Sequence, residues 1–135
     1  PIAHCCAARV PIGLLVEAGM RGISLDASLL PERDDDAIGQ AVEAGVGFFL
    51  GLVASTDPDP QVKPPRIQDV VAPARRLWSR LGFTPETLAR DVVVTPTCGL
   101  AGASPAWARQ AYHWCVEGAR VLVEEPEDVA DEETR

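Results

Sequence analysis

The sequence predicts an α/β fold in which parallel strands alternate with helices. Residues 47–53 form an unbroken apolar run, which is typical of a strand buried on both faces of a parallel sheet. Elsewhere, short apolar segments alternate with longer segments whose apolar residues recur at helical spacing. This alternation predicts consecutive β/α units joined by right-handed crossovers.

Four such units follow one another, and we assign residues 1–124 to one domain. Strands are predicted at residues 1–6, 22–26, 47–53 and 91–96, and helices at residues 11–18, 34–44, 66–81, 84–89 and 104–124. Four β/α units make half of a TIM barrel, an eight-stranded fold that typically needs about 250 residues. We therefore predict a half-barrel, with a short doubly wound sheet as the alternative.

Composition restricts the classes of function. The chain of 135 residues is 47% hydrophobic and has a formal net charge of −8, so it suits a compact domain but not a nucleic-acid or anionic-membrane partner. No apolar run reaches the roughly 20 residues that cross a bilayer, and no signal peptide is visible. We expect a cytoplasmic protein whose four cysteines are thiols or metal ligands.

The two ends of the chain carry separate expectations. The sequence begins without an initiator methionine, so we expect a fragment whose sheet edges are covered by a missing half-barrel or by a partner chain. Residues 125–135 are strongly acidic, and we predict a frayed tail there.

Metal-binding residue types stand where the predicted strands end. His4 and Cys6 end the first strand, Asp26 ends the second, and Cys98 follows the fourth. The carboxyl ends of parallel strands converge on one face, and a His-x-Cys pair on extended backbone points to one side. We predict an open, catalytic-type zinc site at His4, Cys6 and Cys98, with Asp26 completing or supporting it. The alternatives are a buried histidine and two core thiols, and a helix N-cap at Asp26.

These residues resemble a known family. His4-Cys5-Cys6, the strand ending in Asp26, and the segment Pro96-Thr97-Cys98-Gly99-Leu100 are similar, in order and approximate spacing, to the C-terminal half of the catalytic barrel of cobalamin-independent methionine synthase. The resemblance covers nearly the whole chain. It implies a zinc ion held by His4, Cys6 and Cys98 that activates a small, homocysteine-like thiol, which then takes a methyl group from a folate-type donor.

The chain departs from that family at two positions. The family usually has Glu where Asp26 stands, and Asp is one methylene shorter. On the third strand, an Asp-Ile-His-Ser stretch of the family is replaced by Gly51-Leu52-Val53-Ala54, so Val53 occupies the place of a proton-transferring histidine. Two alternatives to the folate-type enzyme follow: a corrinoid-linked thiol methyltransferase, and a zinc-binding scaffold module without catalysis.

Overall fold

The computed structural model describes residues 1–127 and shows an α/β protein built on one four-stranded sheet. The strands are β1 (Ile2–Cys5), β2 (Gly22–Asp26), β3 (Gly47–Val53) and β4 (Val92–Pro96). They lie side by side in chain order, and every neighbouring pair is parallel. The predicted α/β fold with a parallel sheet is therefore confirmed. Of the acidic tail predicted at residues 125–135, residues 128–135 lie outside the part of the chain that the structure describes.

Helices connect the strands in the predicted alternation. They are α1 (Ile12–Glu17), α2 (Asp35–Glu43), α3 (Ile67–Leu81), α4 (Leu88–Asp91) and α5 (Pro105–Glu124). Short 3-10 turns, which the sequence analysis did not predict, follow β2 and β4. Between residues 1 and 127, none of these helices has both the length and the apolar character needed to cross a bilayer.

Three of the helices are followed by a glycine in the left-handed conformation. Gly19, Gly45 and Gly82 follow α1, α2 and α3, with φ of 83°, 82° and 75°. This left-handed conformation is available to glycine without a Cβ clash, and it closes the last turn of a helix. Each glycine then redirects the chain toward the next strand or, after Gly82, toward α4.

The two faces of the sheet have different surroundings. Side chains of β2, β3 and β4 that point toward the helices are buried in the core: Ile23, Leu25, Phe48, Leu50 and Val94. Consecutive helices pack on one another as one layer, α1 on α2, α2 on α3 and α3 on α5. On the opposite face, Ile2 is 60% exposed and Val93 is 49% exposed.

The order of the strands bears on the doubly wound alternative. A doubly wound sheet reverses its strand order at a switch point and carries helices on both faces. The sheet formed by residues 1–127 contains no such reversal, and its helices pack as one layer. Because all four strands are parallel, their carboxyl ends lie along a single edge of the sheet, and this edge carries the candidate site.

Candidate metal centre

Three of the four predicted site residues meet at the carboxyl edge of the sheet. His4 lies in β1, Cys6 directly follows that strand, and Cys98 follows β4. One ligand atom from each side chain lies within 4.8 Å of the other two. The Sγ atoms of Cys6 and Cys98 are 3.5 Å apart, and all three residues are exposed. A cluster of one imidazole and two thiols at these separations could hold a metal ion.

The closeness of the two thiols depends on a crossing of the chain. β1 and β4 are the edge strands, and three strand spacings would separate them by about 14 Å in a flat sheet. After β4, however, the backbone passes over the end of β3, where the Thr97 amide donates a hydrogen bond of 2.8 Å to the Val53 carbonyl. This path carries Cys98 inward, toward Cys6.

Gly51 makes the crossing possible. A Cβ at this position would lie 2.6 Å from Thr97 Cα and 2.9 Å from the Leu25 carbonyl oxygen, both of them backbone atoms. Real Cβ atoms do not approach backbone so closely, because such contacts are strongly repulsive. In the sequence, Gly51 is only part of the segment that replaces the family motif, and its packing role is seen only in the structure.

The His4 ring is oriented by the neighbouring strand. In the register of β1 and β2, His4 lies opposite Ser24, and His4 Nδ1 is 2.9 Å from Ser24 Oγ. In the tautomer whose Nδ1 carries the hydrogen, Nδ1–H donates a hydrogen bond to Ser24 Oγ, and the lone pair of Nε2 remains available to a cation. Sequence analysis missed Ser24; the signal was its position two residues before Asp26, on the same face of β2.

The cysteines differ in their environments. The hydrogen bond with Cys98, followed by the repulsion between the two sulfur charges, raises the pKa of the Cys6 thiol above its ordinary value. A cation bound by both sulfurs would displace that proton, because the thiolate is the metal-binding form. By contrast, burial raises the pKa of Cys115 to about 11, and Cys5 is half-buried against the core. Cys115 and Cys5 are therefore packing residues.

Asp26, the fourth predicted site residue, lies at the same edge but is not among the three clustered groups. Its Oδ1 accepts hydrogen bonds from the Ser28 amide at 2.9 Å and the Ser28 hydroxyl at 2.6 Å. Asp26 thereby caps the 3-10 turn Ala27–Leu29, which is the N-cap alternative considered for this residue. Its role as a metal ligand stays a prediction.

Hydrogen bonds also connect the loop that follows β3 with the residues that begin α5. The Asp57 carboxylate accepts from both the amide and the hydroxyl of Ser104, and these bonds lower the pKa of Asp57. The Trp107 indole donates to the Ala54 carbonyl at 3.0 Å. The loop after β3 is thus tied to the start of α5, the helix that follows the loop carrying Cys98.

The end of β3 carries no titratable side chain. Val53 is buried, with 4% of its surface exposed, and its neighbours Gly51, Leu52 and Ala54 have no group that could transfer a proton. The second histidine of the chain, His113, is exposed on α5. In residues 1–127, the only imidazole at the cluster is therefore that of His4.

Comparisons with protein-family models, with curated proteins and with solved structures found no match to this chain. The fold and the site therefore define the class of protein by themselves. It is an α/β protein with a parallel sheet and a His-Cys-Cys cluster at the carboxyl edge of that sheet.

Proposed function

We propose that this chain is the C-terminal half-barrel of a zinc-dependent thiol methyltransferase. The observation that carries the proposal is the cluster of His4, Cys6 and Cys98, whose ligand atoms lie within 4.8 Å of one another. One nitrogen and two sulfur donors form a set that suits zinc rather than the hard cations magnesium and calcium. Three protein donors leave one tetrahedral position for a substrate, as in catalytic zinc sites.

The proposed reaction is methylation of a small, homocysteine-like thiol. Zinc, when bound there, lowers the pKa of a coordinating thiol so that the thiolate is present at neutral pH. The substrate sulfur then attacks the N-methyl carbon of a folate-type donor; the S–C bond forms as the N–C bond breaks, and the donor nitrogen takes up a proton. Because Val53 cannot supply that proton, water at the exposed cluster is the proposed source.

Three residues of the chain prepare the site for that reaction. Cys6 and Cys98 supply negative charge that the cation offsets, and Ser24 holds the imidazole of His4 in one orientation. Exposure of the cluster gives the thiol and the donor access from the open edge of the sheet. A reducing compartment such as the cytoplasm, where we place the protein, would keep both thiols available to the metal.

The half-barrel assignment is supported by the chain-order sheet and by its single helix layer. In a complete barrel, strands from a second half would pair with β1 and β4. Their side chains would fill the face on which Ile2 and Val93 are exposed. We propose that the N-terminal half of the barrel, on the same polypeptide or on a partner chain, covers these edges.

Asp26 is the proposed supporting group of the site, either through the loop that it caps or as a fourth ligand that the substrate thiol must displace. Asp26→Asn keeps an oxygen that can accept from the Ser28 amide but removes the negative charge. We expect zinc affinity to fall about tenfold to a hundredfold, as for groups that support metal ligands. The measurement is competition for zinc with a chromophoric chelator. Asp57→Asn is the control. It removes a carboxylate that accepts a hydrogen bond from Ser104, and this variant should bind zinc with wild-type affinity.

Cobalt substitution tests the proposed function. A thiol that enters the coordination sphere of cobalt adds a sulfur-to-metal charge-transfer band, so homocysteine should change the visible spectrum of the cobalt-loaded protein. The spectrum should remain unchanged with methionine, whose sulfur carries no ionisable proton. Cobalt loading without any response to thiols would contradict the enzyme assignment and favour the scaffold alternative.

The methyl donor is tested in the same preparation. Loss of the methyl group from an N-methyl folate, with methylated thiol as the product, supports the folate-type reaction. Methyl transfer from a methylated corrinoid alone would instead support the corrinoid-linked alternative.

A further inference from the structure

A groove on the carboxyl side of the sheet lies between the connection from β1 to α1 and the connection from β2 to α2. It has a volume of about 430 Å³ and is lined by Arg9, Val10, Pro11, Arg33 and Asp34. This volume is within the range of about 300–1,000 Å³ that is common for small-molecule sites. Both connections leave the strand ends that carry His4, Cys6 and Asp26, so the groove and the metal cluster share one edge of the molecule.

The charge of the groove is opposite to that of the chain. Two guanidinium groups and one carboxylate line it, whereas the chain as a whole has a formal net charge of −8. Arg33 is 66% exposed and lies 4.0 Å from the Asp34 carboxylate, a distance at which a solvated pair is weak. Arg9 forms no ion pair or side-chain hydrogen bond within residues 1–127. Among the described residues, the Arg9 guanidinium therefore has no partner that would compete with a bound anion, and Arg33 supplies a second guanidinium on the same groove.

The chain holds Arg9 near the cluster. Arg9 follows Cys6 by three residues, so their Cα atoms lie at most about 11 Å apart. The next residue, Val10, is buried in the core, and its carbonyl accepts a hydrogen bond of 2.9 Å from the Ile12 amide. This anchoring holds the Arg9 backbone at the rim of the groove, three residues along the chain from Cys6.

We infer that Arg9, assisted by Arg33, binds a carboxylate of the ligand whose sulfur or methyl group reacts at the cluster. Arginine binds carboxylates through two parallel hydrogen bonds, which fixes the orientation of the ligand as well as its position. Val10 and Pro11 supply an apolar wall for the carbon chain between the carboxylate and the reacting atom. This inference rests on the proposed function, whose thiol and methyl donor both carry carboxylates, and it assigns Arg9 as the residue that positions one of those carboxylates. The carboxylate belongs either to the thiol or to the glutamate tail of the methyl donor.

A pair of thiols tests the inference in the cobalt-loaded protein. Homocysteine and 3-aminopropanethiol differ only by the carboxylate, and their affinities are read from the thiolate-to-cobalt band. Arg9→Gln should weaken homocysteine binding about tenfold or more, the value of a lost charge-assisted hydrogen bond, and leave 3-aminopropanethiol unchanged. Arg76→Gln, at an exposed position of α3, is the matched control and should alter neither affinity.

Binding of a pteroylglutamate, as a model of the methyl donor, is measured in a second experiment. If Arg9→Gln weakens a pteroylglutamate in equilibrium dialysis but not homocysteine, the carboxylate comes from the donor, and the inference still holds. Equal affinities of wild type and Arg9→Gln for homocysteine and the pteroylglutamate would overturn the inference while leaving the proposed function intact. A spectrum that no thiol changes would overturn the proposed function itself.

Discussion

Replacing Cys98 with serine is expected to lower the zinc affinity of the protein about a hundredfold. Cys98 Sγ lies 3.5 Å from Cys6 Sγ, and a hydroxyl does not ionise as a thiol does. A hundredfold loss corresponds to about 2.8 kcal/mol, about a fifth of the roughly 10–16 kcal/mol that structural zinc sites provide, and we expect the loss of one of three protein donors to cost at least that much. The measurement is zinc affinity by chelator competition, together with the zinc content of the purified variant.

Cys5→Ser is the matched control for this prediction. Cys5 is adjacent to Cys6, yet it is half-buried against the core and is not a member of the cluster. It should retain wild-type zinc affinity, although burial of a hydroxyl will lower its stability slightly. Since Cys98 is exposed, Cys98→Ser should unfold at the same urea concentration as wild type when both are metal-free. Wild-type zinc affinity in Cys98→Ser would contradict the site.

Gly51→Ala is expected to impair both folding and metal binding. Its Cβ would lie 2.6 Å from Thr97 Cα, so the segment between β4 and Cys98 must move away from the end of β3. Overpacking of this kind costs about 1–3 kcal/mol of unfolding free energy. The displaced backbone also carries Cys98 away from Cys6, so zinc affinity should fall beyond what the loss of stability explains. Urea unfolding and chelator competition measure the two effects separately.

Gly99→Ala provides the comparison for Gly51→Ala. Gly99 is next to Cys98, has a φ of −61°, and has no atom within 4 Å of the Cβ that alanine would add. This variant should unfold at the same urea concentration as wild type or a slightly higher one, and should keep wild-type zinc affinity, because neither space nor backbone conformation opposes the added Cβ. If Gly51→Ala and Gly99→Ala behave alike, the crossing of the chain over Gly51 is not what brings the two thiols together.

The fold could be predicted because its strongest signals are local. The unbroken apolar run of β3 and the regular alternation of elements predicted a parallel sheet. The helices predicted at residues 11–18, 34–44 and 66–81 each stop directly before a glycine, the residue that most readily closes a helix. Convergence of strand ends then brought His4, Cys6 and Cys98 to one edge without knowledge of any long-range contact.

The details of the site depend on contacts that the sequence does not show. The pairing of His4 with Ser24 follows from the register of two strands, which is set by the packing of the whole sheet. The approach of Thr97 to Gly51 is a contact between backbones far apart in sequence, and a glycine inside a strand gives only a weak indication of it. Asp26 satisfied two patterns at once, a strand-end ligand and an N-cap, and only the second is visible in its hydrogen bonds.

X-ray absorption at the zinc edge, on protein purified without chelators, identifies the atoms bound to the metal. We expect one zinc ion per chain with two sulfur neighbours at about 2.3 Å, and nitrogen or oxygen neighbours at about 2.0–2.1 Å. Loss of one sulfur neighbour in Cys98→Ser would assign the scatterer to this cluster. Purified protein without zinc, or zinc surrounded only by oxygen and nitrogen, would contradict the site formed by His4, Cys6 and Cys98.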